Sequence, residues 1–170
     1  MSILLANKND IPELIVLLNS AYRGEGSKQG WTTEADMITG EIRTDAPTMN
    51  QLMDTPAAIF LKYVNEQGEI EGCVFLHKRE DKMYLGMLSV APKLQAKGIG
   101  KQLLKAAEQY AKEKNCAAIF MRVISIRPEL IAWYERHGYT KTGAAEPFPE
   151  NDPFGTPTEE LEFLIMEKEM

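Results

Sequence analysis

A strand that breaks into a glycine-bearing loop and re-forms at once as a helix narrows what this chain can become more than any other feature. Residues 86–104 read Gly-Met-Leu-Ser-Val-Ala-Pro-Lys-Leu-Gln-Ala-Lys-Gly-Ile-Gly-Lys-Gln-Leu-Leu. The apolar strand ends at Val90, the loop carries Gln95, Ala96, Lys97, Gly98, Ile99 and Gly100, and the helix follows directly. Gly98 and Gly100 leave no side chain between a ligand and the backbone, so successive N–H groups can close on an anion. The helix N-terminus adds a partial positive charge, and Lys97 and Lys101 add full ones. Such a loop suits a pyrophosphate.

The spacing separates this loop from two others that hold phosphates. A Walker A loop needs Gly five residues before the Gly-Lys pair and a hydroxyl residue after it. Gln95 and Gln102 stand there, so nothing is placed for magnesium. A Rossmann fingerprint needs a third glycine where Leu103 stands. The remaining pattern, Gln-x-x-Gly-x-Gly after a strand, resembles the coenzyme A loop of the GNAT N-acetyltransferase superfamily. Residues 133–139, Trp-Tyr-Glu-Arg-His-Gly-Tyr, look like that family's second signature, a helix ending in Tyr-Glu-Lys/Arg-x-Gly-Phe/Tyr before a strand. The two signatures lie at the family's usual separation, and the resemblance spans about residues 3–143 with a final strand near 160–168.

The pass along the chain agrees with that order of elements. A short strand is expected at 3–5, then a helix from Ile11 to Tyr22 opened by an Asp10–Glu13 capping box. Gly24, Gly26 and Gly30 end it in a loop. Thr33 and Asp36 look like the cap of a short helix stopped by Gly40, and a helical turn follows Thr48. From Ala57 the period changes, and 57–64, 70–78 and 83–90 read as strands joined by short turns, hence antiparallel. A helix over 99–114 turns Ile99, Leu103, Ala107 and Tyr110 inward, followed by a strand at 117–123, a helix at 128–136 and a strand at 161–167. Strand, helix, strand over 83–123 implies a parallel pair. The expected architecture is a single α/β domain over residues 1–170: a mixed, mostly antiparallel central sheet flanked by helices. The resemblance adds that the parallel pair splays apart to receive the acyl-pantetheine.

Composition sets the bounds. With 44% apolar and 26% charged residues among 170, the chain is an ordinary globular length and mixture. No apolar run is long enough to span a membrane, and no basic-then-apolar leader opens the sequence, so a cytoplasmic location without membrane partners is expected. Cys73 and Cys116 read as reduced core thiols. A net charge of −6 argues against nucleic acid as a partner and is mildly compatible with a cationic acceptor. His77 and His137 have no companions for a metal site, and Cys73 and His77 lie about 13 Å apart along a strand, too far for a nucleophile and its base.

What the resemblance implies can be carried over residue by residue. Leu88, Ser89 and Val90 match the strand end whose backbone meets the pantetheine and the thioester carbonyl, where losing one N–H donor costs roughly 10²–10³ in rate. Gln95, Ala96, Lys97, Gly98, Ile99, Gly100 and Lys101 would hold the pyrophosphate of acetyl-CoA. Tyr134 is the candidate general acid: the departing thiolate has a pKa of about 8.5, and a tyrosine of about 10 is still protonated to serve it. Many family members carry Asn seven residues before this tyrosine, and Arg127 stands there instead. It could reach cofactor or acceptor, or pair with a carboxylate. No general base is marked, with Glu34, Glu80, Asp81 and Glu159 the available carboxylates.

Two irregular stretches could wall the acceptor side. One runs from Tyr22 to Glu34 and offers Trp31 and Glu34; Trp31 could serve as a platform or as an anchor for the loop. The other, 143–157, is rich in proline and reads as a loop. The expected activity is acetyl transfer from acetyl-CoA directly to a primary amine of a small molecule or peptide. The other reading is a catalytically silent module that binds an acyl-CoA, and edge strands leave room for a homodimer.

Overall fold

The computed structural model describes residues 2–23, 33–35, 37–38, 43–149, 155 and 157–170. Among them the strands are β1 (Ser2–Leu5), β2 (Ala58–Val64), β3 (Ile70–Arg79), β4 (Lys82–Val90), β5 (Ala118–Ile124), β6 (Thr140–Pro147) and β7 (Glu162–Glu169). The helices are α1 (Ile11–Tyr22), α2 (Ala46–Met53), α3 (Ile99–Glu113) and α4 (Pro128–Arg136). The strands form one sheet in the order β1-β2-β3-β4-β5-β7-β6. Every pairing is antiparallel except β4 with β5.

Period-two alternation in β3 explains how helices come to cover both faces. Cys73 and Phe75 point to one face, where they meet Ile11, Leu14 and Leu18 of α1 and Met49 of α2. Val74 and Leu76 point to the other, against Leu103, Leu104 and Ala107 of α3 and Ile131 of α4. A strand buried on both sides reads as a continuous apolar run.

The opening that matters is built between β4 and β5. They pair only from Lys82–Ala118 to Tyr84–Phe120. Beyond that, β4 continues along β3 and β5 along β7, so the parallel pair diverges. A bulge in β4 lies at this divergence: Cys73 pairs with Ser89 and Phe75 with Gly86, so Met87 and Leu88 together oppose Val74. Met87 takes a left-handed conformation at φ 52°. Side chains account for the carbonyls that the bulge removes from the ladder. The Ser89 hydroxyl donates to Met87 O at 3.0 Å, the Cys73 thiol reaches the same oxygen at 3.7 Å, and the Tyr22 hydroxyl donates to Leu88 O.

Several expectations need correction. Residues 143–147 belong to β6, whose eight residues are all exposed and offer no apolar alternation to read. The capping box lies one step earlier than expected: Asn7 and Asp10 cap the short 3₁₀ turn Lys8–Asp10, while Glu13 accepts from Ile70 N–H at 2.7 Å. Asp45 caps α2 through Thr48 N–H, which starts that helix before Thr48. Near Thr33, the Met37 and Ile38 N–H groups donate to Glu34 O, while Asp36 and Gly40 of the expected short helix lie outside the described residues. In α3, Ala111 is fully buried and Tyr110 only partly so.

Candidate functional site

The loop after β4 is shaped by its own backbone. Pro92–Leu94 forms a 3₁₀ turn, and Gln95 folds back to donate from Nε2 to Val90 O at 2.9 Å. Ala96 and Gly98 then adopt φ 68° and 88°, which places left-handed residues on both sides of Lys97. Gly98 is the N-cap of α3 and no side chain caps that helix end. The first-turn N–H groups, which have no intrahelical acceptor, therefore face outward.

The loop forms one wall of a cleft of about 440 Å³. Leu88 and Val90 of β4 line it with Gln95, Ala96, Gly98, Gly100 and Lys101, and α4 closes the far side with Leu130, Trp133 and Tyr134. Gly100 faces Trp133 across this cleft, and a Cβ there would rest in ordinary contact 3.6 Å from Trp133 Cζ2. Three of the residues expected in this group stand apart. Ser89 is buried with its hydroxyl on Met87 O, Ile99 belongs to the core, and Lys97 is exposed away from the lining.

Tyr134 lines both this cleft and a second one of about 270 Å³, which is walled by residues of β4 and β5. Its ring is held edge-on by Trp133 at 5.1 Å and Tyr139 at 5.8 Å. Burial drives its pKa well above the ordinary tyrosine value, Tyr22 adds to the rise, and the Arg127 charge opposes it. No described residue accepts a hydrogen bond from its hydroxyl. Tyr22 also lines both clefts, and burial pushes its pKa up to about 12. Sequence reasoning placed Tyr22 at the end of α1 and at the start of a stretch that could wall the acceptor side, without a role of its own. Its link to Leu88 joins residues far apart in the chain, and no local pattern marks it.

The second cleft collects charge. Among the described residues, Arg23, Arg43, Arg122 and Arg127 line it together with the carboxylate of Glu34. Glu34 Oε1 pairs with Arg23 Nε at 3.2 Å, with both side chains withdrawn from water. Arg127 is buried at 5% exposure and lines this cleft, not the one beside the loop. Arg43 and Arg122 were not anticipated. Of the carboxylates offered as bases, Glu80, Asp81 and Glu159 line neither cleft. Trp31 lies outside the described residues.

Comparison with known proteins bears on the family and the fold. The acetyltransferase (GNAT) family model matches residues 15–139. An acetyltransferase from Agrobacterium fabrum is 28% identical over 83 residues, covering 49% of this chain and 59% of that protein. The chain thus matches little more than half the length of this curated relative. Among solved structures, a ribosomal-protein-alanine N-acetyltransferase from Brucella melitensis gives a TM-score of 0.75 at 19% identity, with 100% of both chains covered. An acetyltransferase from Bacillus anthracis in complex with acetyl coenzyme A gives 0.60 at 21% identity, covering 71% of this chain and 67% of that one. At these identities the structural likenesses establish the fold. Among the described residues, no helix is long and apolar enough to cross a membrane.

Proposed function

The chain belongs to the acetyltransferase (GNAT) family, and on that premise we propose that it transfers the acetyl group of acetyl-CoA directly to a primary amine, with Tyr134 as proton donor. One observation carries the reading: a tyrosine whose hydroxyl has no acceptor among the described residues is buried where the loop-side cleft meets the second cleft.

The residues present fit acetyl-CoA. Outward N–H groups at Gly98 and Gly100, with Lys101 beside them, suit a pyrophosphate, and the apolar run Leu88, Val90, Leu130 and Trp133 suits a pantetheine arm. When bound, it supplies an activated acyl group and a thiolate leaving group. The chain's own residues do the rest. Burial keeps Tyr134 protonated across the neutral and mildly alkaline range, so it is always able to donate. Leu88 and Val90 line the cleft beside the bulge, and their backbone N–H groups would be the donors to a carbonyl oxygen. Tyr22, on Leu88 O, holds that bulge in place. The amine enters from the second cleft.

Tyr134→Phe tests this. General acid–base groups contribute about 10²–10⁴ in rate, and the low end is expected because a thiolate needs little protonation at neutral pH. Thiol release should fall about 100-fold while calorimetric affinity for acetyl-CoA stays unchanged. Turnover within about threefold of wild type would remove Tyr134 from the chemistry. Binding of acetyl-CoA with no turnover on any amine would make the chain a silent acyl-CoA binder.

A further inference from the structure

Resting on the reading above, that an amine is acylated from the second cleft, we propose that Tyr84 is the residue that receives it. Its hydroxyl oxygen accepts a hydrogen bond from the incoming amine and so aims the nitrogen lone pair at the thioester.

Tyr84 stands where the sheet opens. Tyr84–Phe120 is the last pair joining β4 to β5, and beyond it the two strands part. Side chains two apart on a strand share a face, so Tyr84 and Gly86 are neighbours on one side of β4. The missing Cβ at Gly86 is what lets the tyrosine lie down along the strand. A Cβ there would lie 2.8 Å from Tyr84 Oη, 2.9 Å from Cε2 and 3.0 Å from Cζ. The ring thus leans over residue 86, and its hydroxyl is carried past the last β4–β5 pair. Tyr84 and Gly86 both line the second cleft at that point.

The ring is held in place while its oxygen is left over. Phe120 at 5.5 Å and Phe75 at 6.4 Å flank it from the neighbouring strands. Arg79 and Arg122 lie over it, with their guanidinium carbons 4.4 and 5.4 Å from the ring centre. A side chain packed this way gives up little freedom when its tip engages a ligand. Among the described residues, nothing bonds to the Tyr84 hydroxyl. The Tyr22 hydroxyl, by contrast, is spent on Leu88 O. Burial first, then Tyr22 and Tyr84, raise the Tyr134 pKa, which puts the Tyr84 oxygen within electrostatic reach of the proton donor. Tyr134 lines both clefts and Tyr84 the second alone, so Tyr134 serves the leaving sulfur and Tyr84 the entering nitrogen. A phenol oxygen has lone pairs for an N–H donor while its own proton turns elsewhere. Tyr84 neither gains nor loses a proton in this role. Its contribution is orientation, which enters kcat/KM for the amine and leaves acetyl-CoA binding alone.

The test is a thiol-release assay with acetyl-CoA and three acceptor sets: free amino acids, spermidine, and an amidated peptide with a free N-terminus. It is run on wild type, Tyr84→Phe, Gly86→Ala and the double variant, beside calorimetric titrations of acetyl-CoA. Tyr84→Phe keeps the ring and its neighbours and removes only the oxygen. For whichever amine the wild type turns over, kcat/KM should fall about 3- to 10-fold, the worth of one neutral hydrogen bond. Acetyl-CoA affinity and Tm should stay unmoved. Gly86→Ala should reproduce that loss, because its methyl takes the place of the hydroxyl and the ring must swing away. The double variant should then lose no more than the worse of the two singles. Fully additive losses overturn the placement of the hydroxyl by Gly86. Should Gly86→Ala fail to fold, Tyr84→Phe carries the test alone. Tyr84→Phe within about twofold of wild type on every amine overturns the proposal and leaves acetyl transfer standing. An equal loss in acetyl-CoA affinity also overturns it, since Tyr84 would then act on the cofactor side. Acetyl-CoA binding by the wild type with no turnover of any amine would overturn acetyl transfer, and this inference with it.

Discussion

Gly72→Ala measures how firmly the sheet positions the loop-bearing helix. Gly72 is buried in β3 opposite Val90, the last residue before the loop. A Cβ at this position would lie 2.9 Å from Leu103 Cδ1, 3.0 Å from Ser89 O and 3.1 Å from Ile99 Cγ2. Ser89 O is β4 backbone and cannot rotate away. Leu103 is fully buried, so its methyl has nowhere free to turn. The first turn of α3 must lift instead, and it takes Gly98 and Gly100 with it.

Forcing a methyl into a packed site costs about 1–3 kcal/mol. The lost chain freedom of glycine in the unfolded state returns about 0.4–1 kcal/mol. The overpacking wins, leaving a net loss of about 1–2 kcal/mol, or roughly 2–8 °C in Tm for a domain of this length. Thermal melts and a calorimetric acetyl-CoA titration read the two consequences, with affinity expected to weaken several-fold. Gly68→Ala is the control. Its φ of 79° makes any side chain strained, but nothing lies within 4 Å of the added Cβ. It should lose about 1 kcal/mol through strain alone and bind acetyl-CoA normally. An unchanged Tm and affinity in Gly72→Ala would refute the claim that β3 sets the position of α3.

Two further perturbations probe the tyrosines. Tyr22→Phe removes the donor to Leu88 O, and an abandoned, partly buried carbonyl costs about 1–3 kcal/mol. Denaturant melts should show that loss together with a lower kcat, and no change in either would mean the bulge is held by other contacts. High pH should also destabilise the fold. Tyr22 rises from 10.0 to about 12 on folding and Tyr134 rises as well, so the native state keeps protons that the unfolded chain releases. Below about pH 10 that difference has no effect; above it, stability falls by ~1 kcal/mol per pH unit for each tyrosine. Denaturant melts from pH 9 to 11 should show the decline, and Tyr22→Phe should remove one proton from its slope; a flat profile would contradict the burial of these hydroxyls.

What could be read from sequence was what chemistry makes local. The spacing from Gln95 to Lys101 is a contiguous backbone device, and Tyr134 follows from a contiguous signature. Strand β6 was not legible: Thr140–Pro147 has no apolar alternation, and its partner Glu162–Glu169 comes later in the chain. The capping of α1 was misread for a related reason, since Glu13 is claimed by Ile70 across the fold. The second cleft shows the limit most clearly. Its arginines come from just after α1, just before α2, the middle of β5 and the start of α4, and no window of the sequence contains them all. The net charge of −6 was only mildly compatible with a cationic acceptor and identifies none, because it averages the entire surface. Field strength at a site depends on which charges the topology brings together and on how much water stays between them. Among the described residues, four guanidinium groups converge on one small cleft where β4 and β5 diverge, a grouping that no whole-chain total contains. Which side chains meet at a site is therefore a property of the fold's convergence point, and composition is silent about it.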